Sequence, residues 1–239
     1  MKYREIREKY QGQNETIVDA YATSISPIIT KWFLTKKFTP NEITIMMILS
    51  GIIGAILFSI NSIILKMLGI VFIHMWYILD CSDGEVARIK KQFSKFGTEI
   101  DYSAHILNHP LFNISFAISL ISLNRYNIAF VLVLTIILIS IDGIFRNLYA
   151  FEVIYKVKME EEIQKGAIYK GSRLSILKRV VFQFVHYPNY ALIFPIIFVS
   201  DYFIGSNIAI LFLISIITVQ VPMILKSYII WIKRIKDVK

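Results

Sequence analysis

Long runs of apolar residues, separated by short polar segments, dominate the chain. Each run is about as long as the 20 or so residues that an α-helix needs to cross the hydrocarbon core of a bilayer. The runs lie at about residues 39–60, 63–79, 97–123, 127–151, 180–199 and 208–231. The pattern therefore predicts an all-α polytopic membrane protein with six transmembrane helices.

Residues 1–38 show a different pattern. A charged arm comes first, and from Ile17 to Phe38 apolar residues recur among polar ones, as in an amphipathic helix that lies in the membrane interface. The alternative is a soluble helix packed on the loops. We expect residues 1–38 to form a cytosolic arm and an interfacial amphipathic helix, and residues 39–239 to form a six-helix transmembrane catalytic domain.

Local signals set some of the predicted boundaries. Thr39 and Glu42 have the spacing of a capping box, and Pro40 suits a first helical turn, so the first span is expected to begin there. Pro110 interrupts the third span. The segments 152–179 and 201–207 are predicted to connect spans four to five and five to six, respectively.

Composition and charge support a membrane location. Hydrophobic residues make up 56% of the chain and charged residues 18%, against about 25% in soluble domains. The net charge of +9 raises the possibility of nucleic-acid binding, but the basic residues lie at span ends and no nucleic-acid motif is present. Of the Lys and Arg residues, 23 lie in segments on the same side as the termini and two on the other. The positive-inside rule then predicts a cell-membrane protein with cytosolic termini.

Ionisable residues follow the second apolar run, at its cytosolic end. Asp80 and Asp83 are spaced i and i+3, and Gly97, Asp101 and His105 are spaced i, i+4 and i+8, so each set forms a stripe on one helix face. If the two helices are antiparallel neighbours, three aspartates and an imidazole converge. Carboxylates that close need a cation, and an oxygen-rich cluster favours Mg²⁺ or Mn²⁺.

The residues that directly follow Asp83 add to this candidate site. Gly84 and Ala87 leave space where a flat ring or a diphosphate would approach the helix, and Arg88 has a planar fork suited to phosphate oxygens. Glu85 lies off the Asp80 stripe and is equally well interpreted as a solvated helix charge.

The spacing of these residues resembles the D-x-x-D-G-x-x-A-R-(x8)-G-x-x-x-D-x-x-x-D motif of the CDP-alcohol phosphotransferase family. Every fixed position matches except the last, where the family has aspartate and this chain has His105. The segment Thr39-Pro40-Asn41-x-Ile43-Thr44 also resembles the family's T-P-N-x-I-T opening. Both stretches lie between residues 39 and 105.

The resemblance implies a transferase that moves a substituted phosphate group from a CDP-alcohol to an acceptor hydroxyl and releases CMP, in phospholipid or surface-glycan biosynthesis. It implies two divalent cations that bridge the donor diphosphate, and commonly a homodimer. The implied metal ligands are Asp80, Asp83, Asp101 and the residue at position 105. The implied donor-site residues are Asn41, Thr44, Gly84, Ala87 and Arg88, of which Arg88 steadies the diphosphate.

His105 is the departure from the family motif. The matching aspartate is taken to deprotonate the acceptor hydroxyl, and it can also contact a metal. An imidazole is able to do either, because it is a base near neutral pH and its nitrogen can ligate a cation. The alternative is that His105 marks a degenerate, inactive homologue.

Polar residues on the third and fourth spans are further candidates. Asp142 and Arg146, at i and i+4, predict either an ion pair that helps the bundle to pack or an acceptor-phosphate pocket built with Lys178 and Arg179. Beside His105, Asn108 and His109 are interpreted either as residues that orient His105 or contact an acceptor, or as interhelical hydrogen-bonding groups.

Two other functional classes compete with a transferase. A cation-coupled transporter also places aspartates on adjacent spans, which accounts for Asp80, Asp83 and Asp101. It does not account for Gly84 and Arg88 at their fixed offsets. A membrane scaffold that kept only the nucleotide site is the other possibility.

Overall fold

The computed structural model of the 239-residue chain describes residues 2–11, 17–94, 96–158 and 188–237. The described residues form α-helices joined by turns, with no strand among them, as the sequence predicts. The helices are α1 (Tyr3–Lys9), α2 (Ile17–Thr35), α3 (Pro40–Ser59), α4 (Ile63–Lys90), α5 (Gly97–Ser122), α6 (Ile128–Lys158), α7 (Asn189–Ile204) and α8 (Ile208–Asp237).

Five of these helices, α3, α4, α5, α6 and α8, are long and apolar enough to cross a membrane. Helix α7 is apolar but has only 16 described residues, and the expected start of the fifth span at residues 180–187 lies outside the described residues. The fold is therefore that of a polytopic membrane protein, and the sixth span stays a prediction. Helix α6 continues past Phe151 to Lys158, into the segment that was expected to connect spans four and five.

Helix α3 begins as its sequence predicts. The Glu42 backbone N–H donates to Thr39 Oγ1 at 3.4 Å, and the Thr39 backbone N–H donates to a Glu42 carboxylate oxygen at 2.7 Å. Together with Pro40 in the first turn, this reciprocal pair satisfies backbone donors that a helix start leaves without partners. The capping box is thus confirmed, and it fixes the register of the helix that packs against both α4 and α5.

Glycines allow α3 and α4 to approach each other closely. A Cβ atom on Gly69 of α4 would lie 2.7 Å from Phe58 N and 2.9 Å from Gly54 O of α3. A Cβ atom on Gly54 would lie 2.8 Å from an Ile73 side-chain carbon. Small residues at membrane helix interfaces permit such backbone contact, which supplies van der Waals attraction where lipid removes the hydrophobic driving force.

Helix α2 packs on α4 with a face that contains polar residues. Ser26 and Thr30 are fully buried there, whereas the apolar side chains of Ile28 and Trp32 are 63% and 50% exposed. Tyr21 on the same helix shares a 2.6 Å hydrogen bond with His74 Nδ1, and burial raises the pKa of its phenol. The amphipathic pattern is present, and the location of α2 in the membrane interface stays a prediction.

Two charged residues at the other end of the bundle differ from expectation. Asp201 was assigned to a turn, but it belongs to α7 and is buried, and its carboxylate accepts hydrogen bonds from Ser206 Oγ at 2.6 Å and the Ala209 backbone N–H at 3.2 Å. Lys66 is one of the two basic residues that the charge count assigned to the side opposite the termini, and its burial was not predicted. It is 1% exposed and donates to Phe58 O and Ser119 Oγ, both at 2.8 Å. Helix ends with unsatisfied backbone groups explain both positions.

The glycine contact gives a first testable prediction. Gly69→Ala forces a methyl group against the α3 backbone and should lower the free energy of unfolding by about 1–3 kcal/mol, the usual range for overpacking. The matched control is Gly143→Ala, because no atom lies within 4 Å of the Cβ position at Gly143. Thermal unfolding of the purified protein in detergent measures both; equal midpoints for the two variants would contradict the tight contact.

Candidate active site

The motif residues lie on two helices, α4 and α5, which both pack against α3. Asp80 and Asp83 are near the C-terminal end of α4, and Asp101 and His105 are in the first turns of α5. Helix α3 packs against α4 and α5, and the two motif helices meet through side chains, with the ring of Trp76 edge-on to His105 at 5.6 Å. The predicted stripes on α4 and α5 therefore face each other.

Three of the four predicted metal ligands form a compact cluster. His105 Nε2 lies 3.4 Å from Asp80 Oδ1 and 3.4 Å from Asp101 Oδ1. One ligand atom from each residue lies within 4.8 Å of the other two. The side chains of His105 and Asp80 are 20% and 24% exposed, and that of Asp101 is 46% exposed, so the cluster can be reached from solvent.

This donor set fits a divalent cation. Among the described residues, the buried atoms Asp101 Oδ1 and His105 Nδ1 have no hydrogen-bond partner. A buried polar atom without a partner is costly, and two aspartates close together repel each other unless positive charge lies between them. Two carboxylates and one imidazole can together hold a divalent cation.

Asp83 is oriented by α3 and lies outside this group of three. Thr44 Oγ1 donates to Asp83 Oδ2 at 2.7 Å, and Thr44 is 5% exposed. The structure thus joins two residues that the sequence assigned to different roles, Thr44 to the donor nucleotide and Asp83 to the metal. Asn41 precedes Thr44 by three residues on α3, on the same face.

Arg88 lies over Gly84 and contacts the N-terminal segment. Its Nη1 and Nη2 atoms are 3.1 and 3.3 Å from the position that a Cβ on Gly84 would take, and its Nε donates to the backbone carbonyl of Tyr10. The space that Gly84 leaves is therefore filled by the guanidinium of Arg88. Ala87 is half-buried one turn after Asp83, on the face that continues the stripe.

Glu85 is not a solvated helix charge. It is 1% exposed, and its carboxylate accepts hydrogen bonds from Ser26 Oγ at 2.5 Å, Thr30 Oγ1 at 2.6 Å and Gln11 Nε2 at 3.0 Å. Three donors compensate for the removal of a carboxylate from water. The interpretation of Glu85 as solvated was wrong because its partners lie 55 to 74 residues away in sequence.

A second polar group lies beside His105. His109 is 1% exposed, and its Nδ1 lies 3.1 Å from Asp142 Oδ2, to which Arg146 Nε also donates at 3.2 Å. The structure thus shows the Asp142–Arg146 ion pair, which is one of the two interpretations of these residues, and an interhelical hydrogen bond of His109. The rings of His105 and His109 are 5.2 Å apart, so this group borders the metal-ligand cluster.

Asn108 is the other polar neighbour of His105, one turn further along α5. It is fully buried, and a Cβ on Gly51 of α3 would lie 2.6 Å from its Cγ. Among the described residues its amide oxygen and nitrogen have no hydrogen-bond partner. Because Gly51 has no side chain, it leaves the space that the amide of Asn108 occupies.

A cavity of about 210 Å³ opens between α5 and α6. Its polar lining includes Tyr102 of α5 and Asp142, Arg146 and Asn147 of α6. Arg146 thus pairs with Asp142 and also borders the cavity. Lys178 and Arg179, the other two predicted members of an acceptor-phosphate pocket, lie outside the described residues.

Comparison with known proteins gives two matches. Residues 37–235 match the family described as CDP-alcohol phosphatidyltransferase. The chain is also similar to a protein of Aquifex aeolicus (strain VF5) named bifunctional IPC transferase and DIPP synthase, with 35% identity over 80 residues. That alignment covers 34% of this chain and 17% of the relative, so it relates the chain to a small part of a longer protein. Because the family match extends over most of the sequence, from before α3 to near the end of α8, the chain belongs to the CDP-alcohol phosphatidyltransferase family.

Proposed function

We propose that the protein is an integral-membrane transferase that moves a substituted phosphate group from a CDP-alcohol to an acceptor hydroxyl, with release of CMP, in phospholipid-type biosynthesis. The observation that carries the proposal is the cluster of Asp80, Asp101 and His105, whose ligand atoms lie within 4.8 Å of one another in a chain that belongs to this family. The name of the Aquifex relative, which includes a transferase and a synthase, agrees with this class of reaction.

Asp80, Asp101 and His105 would hold a divalent cation, and Asp83, oriented by Thr44, is the proposed ligand of a second. Bound Mg²⁺ or Mn²⁺ supplies positive charge that neutralises the diphosphate of the donor. The chain itself supplies the orientation, because each carboxylate projects from a helix whose neighbours fix its position. Without a cation, the same carboxylates would repel an anionic donor.

The donor is proposed to lie across the cytosolic end of α4. Arg88 presents its terminal nitrogens above Gly84, where they can donate to phosphate oxygens in a bidentate manner. Asn41 and Ala87 are the proposed neighbours of the cytidine. With Arg88 over Gly84, the ring of the cytidine has to displace the guanidinium or lie beside it.

The proposed reaction joins the acceptor oxygen to the distal phosphorus of the donor. A nitrogen that ligates a cation has no lone pair left for a proton, so His105 acts as the base when Asp80 and Asp101 alone hold the cation. Its Nε2, the nitrogen that faces both carboxylates, then accepts the proton of the acceptor hydroxyl. The bond between that phosphorus and the oxygen that bridges the diphosphate breaks, and the electron pair leaves with CMP. Asp80 and Asp101 keep the imidazole in place for this transfer.

The acceptor is proposed to approach through the cavity between α5 and α6. Arg146 borders this cavity and would attract a phosphorylated acceptor, and Tyr102 and Asn147 supply further polar groups. The cavity is lined on α5 by Tyr102, Ile106 and Pro110, of which Tyr102 and Ile106 directly follow Asp101 and His105 in sequence. The phosphate of such an acceptor would have to share Arg146 with Asp142, to which the guanidinium donates at 3.2 Å.

We further propose six transmembrane helices, with α2 in the membrane interface and the termini and active site in the cytosol. The exposed apolar side of α2 and the placement of Lys and Arg residues support this topology. Membrane lipids then surround the exposed apolar side chains of the bundle. A homodimer is proposed only because members of the family are commonly homodimers.

The direct test is CMP release by the purified protein in lipid nanodiscs. CDP-diacylglycerol, CDP-ethanolamine and CDP-choline are supplied in turn with Mg²⁺ or Mn²⁺, and the reaction should stop when a chelator removes the cation. If no donor yields CMP, ion-flux measurements in proteoliposomes and CDP binding distinguish a cation-coupled transporter from a non-catalytic scaffold.

Removal of a proposed metal ligand should abolish transfer. Asp80→Ala, Asp83→Ala and Asp101→Ala are each expected to lower the rate of CMP release more than about 100-fold, because loss of even an indirect metal contact typically lowers activity about 10- to 100-fold. Glu99→Ala is the control, an exposed carboxylate in the same first turn of α5. Activity above about a tenth of wild type in two of the three variants would remove the metal assignment.

Substitution of His105 tests whether the site is active or belongs to a degenerate homologue. His105→Ala should lose turnover because no base remains, while His105→Asp restores the family residue and should retain activity. Wild-type turnover in His105→Ala would exclude His105 from the mechanism. An inactive wild type together with an active His105→Asp variant would show instead that this chain is a degenerate homologue.

A further inference from the structure

The N-terminal arm, whose described part is residues 2–11, is packed onto the domain by specific contacts. Ile6 of α1 is fully buried, and Tyr3 Oη donates to the backbone carbonyl of Ser24 at 2.9 Å. The exposed side of α1 carries the Arg4–Glu8 ion pair, in which the side chains are 87% and 58% exposed. A single apolar residue therefore holds one side of the arm against α2, and the other side faces solvent.

The end of the arm reaches two residues within the motif segment, Arg88 at a fixed position and Glu85 at a variable one. Gln11 Nε2 donates to Glu85 Oε1 at 3.0 Å, and the Tyr10 backbone carbonyl accepts a hydrogen bond from Arg88 Nε. Glu85 and Arg88 are spaced i and i+3, so they lie on the same face of α4. The arm thus spans one turn of α4 directly after Asp83.

The contact with Tyr10 orients the guanidinium of Arg88. Arg88 is exposed, and a long side chain in that setting samples many rotamers unless something holds it. The Tyr10 carbonyl binds Nε, which leaves Nη1 and Nη2 directed to the space above Gly84. Ordering a flexible side chain before its ligand arrives reduces the entropy lost on binding.

We propose that the N-terminal arm is a positioning element for Arg88, which it holds ready to bind the diphosphate of a nucleotide donor. This inference deepens the proposed function and rests on it. Tyr10 acts through its backbone carbonyl and Gln11 through Glu85, so neither side chain contacts the donor. The arm is expected to change the affinity for a cytidine diphosphate more than the stability of the bundle.

The test measures binding of CDP, with Mg²⁺ present, to the full chain in nanodiscs by calorimetry. Ile6→Asp should undock the arm, because it places a charge at a fully buried apolar position. We expect the Kd for CDP to rise about tenfold, a typical effect of lost pre-organisation at one charged contact. Arg4→Gln, on the exposed side of the same helix, is the matched control and should leave the Kd unchanged.

A double-mutant cycle separates positioning from general destabilisation. In an Arg88→Ala background, Ile6→Asp should cause no further loss of CDP affinity, because the residue that the arm orients is absent. Deletion of residues 2–11 serves as a second way to remove the arm and should give the same pair of results. Far-UV circular dichroism and the midpoint of thermal unfolding verify that each variant is folded.

Two results would overturn the inference, and they differ from failure of the proposed function. Wild-type affinity for CDP in both arm variants excludes a role in positioning, and an equal loss in the Arg88 and Arg88→Ala backgrounds shows a structural clamp instead. A wild-type protein that does not bind CDP removes the donor site itself and the inference with it. When the wild-type protein does bind CDP, either of the first two results removes only the inference.

Discussion

The repulsion between Asp80 and Asp101 is the constraint on which the rest of the site depends. Their carboxylates lie on opposite helices, each 3.4 Å from the same imidazole nitrogen, at a depth where a bilayer gives way to water. The imidazole lies between the two carboxylates, and α3, which packs against both helices, fixes their separation. Two carboxylates held this close favour a cation between them, and a bound cation would in turn attract a diphosphate.

The surrounding polar residues follow from the same constraint. Three ionisable groups close to the cluster have a partner from another element: Asp83 has Thr44, Glu85 has Ser26 and Thr30, and Asp142 has His109. These hydrogen bonds hold the neighbouring charged side chains in place, apart from the cluster. They also tie α2, α3 and α6 to the two motif helices, so that the polar site and the packing of the bundle stabilise each other.

Much of the fold and the centre of the site follow from local patterns in the sequence. Helical spacing alone placed Asp101 and His105 on one face, and the capping box at Thr39 located the start of α3. What the sequence did not reveal depends on partners that are distant along the chain. Glu85 appeared solvated because a helical position gives the direction of a side chain and not what lies opposite. The burial of Lys66 was not predicted, because a charge count does not distinguish a buried cation from a cation in a loop.

The central claim is that Asp80, Asp101 and His105 form a cation site. Anomalous X-ray diffraction from crystals soaked with Mn²⁺ and CDP tests it most directly, because the Mn²⁺ signal gives the position of the ion independently of activity. The expected result is an anomalous peak within coordination distance, about 2.0–2.3 Å, of oxygen or nitrogen atoms of these three residues. A fully bound CDP without any anomalous peak at the cluster would contradict the claim.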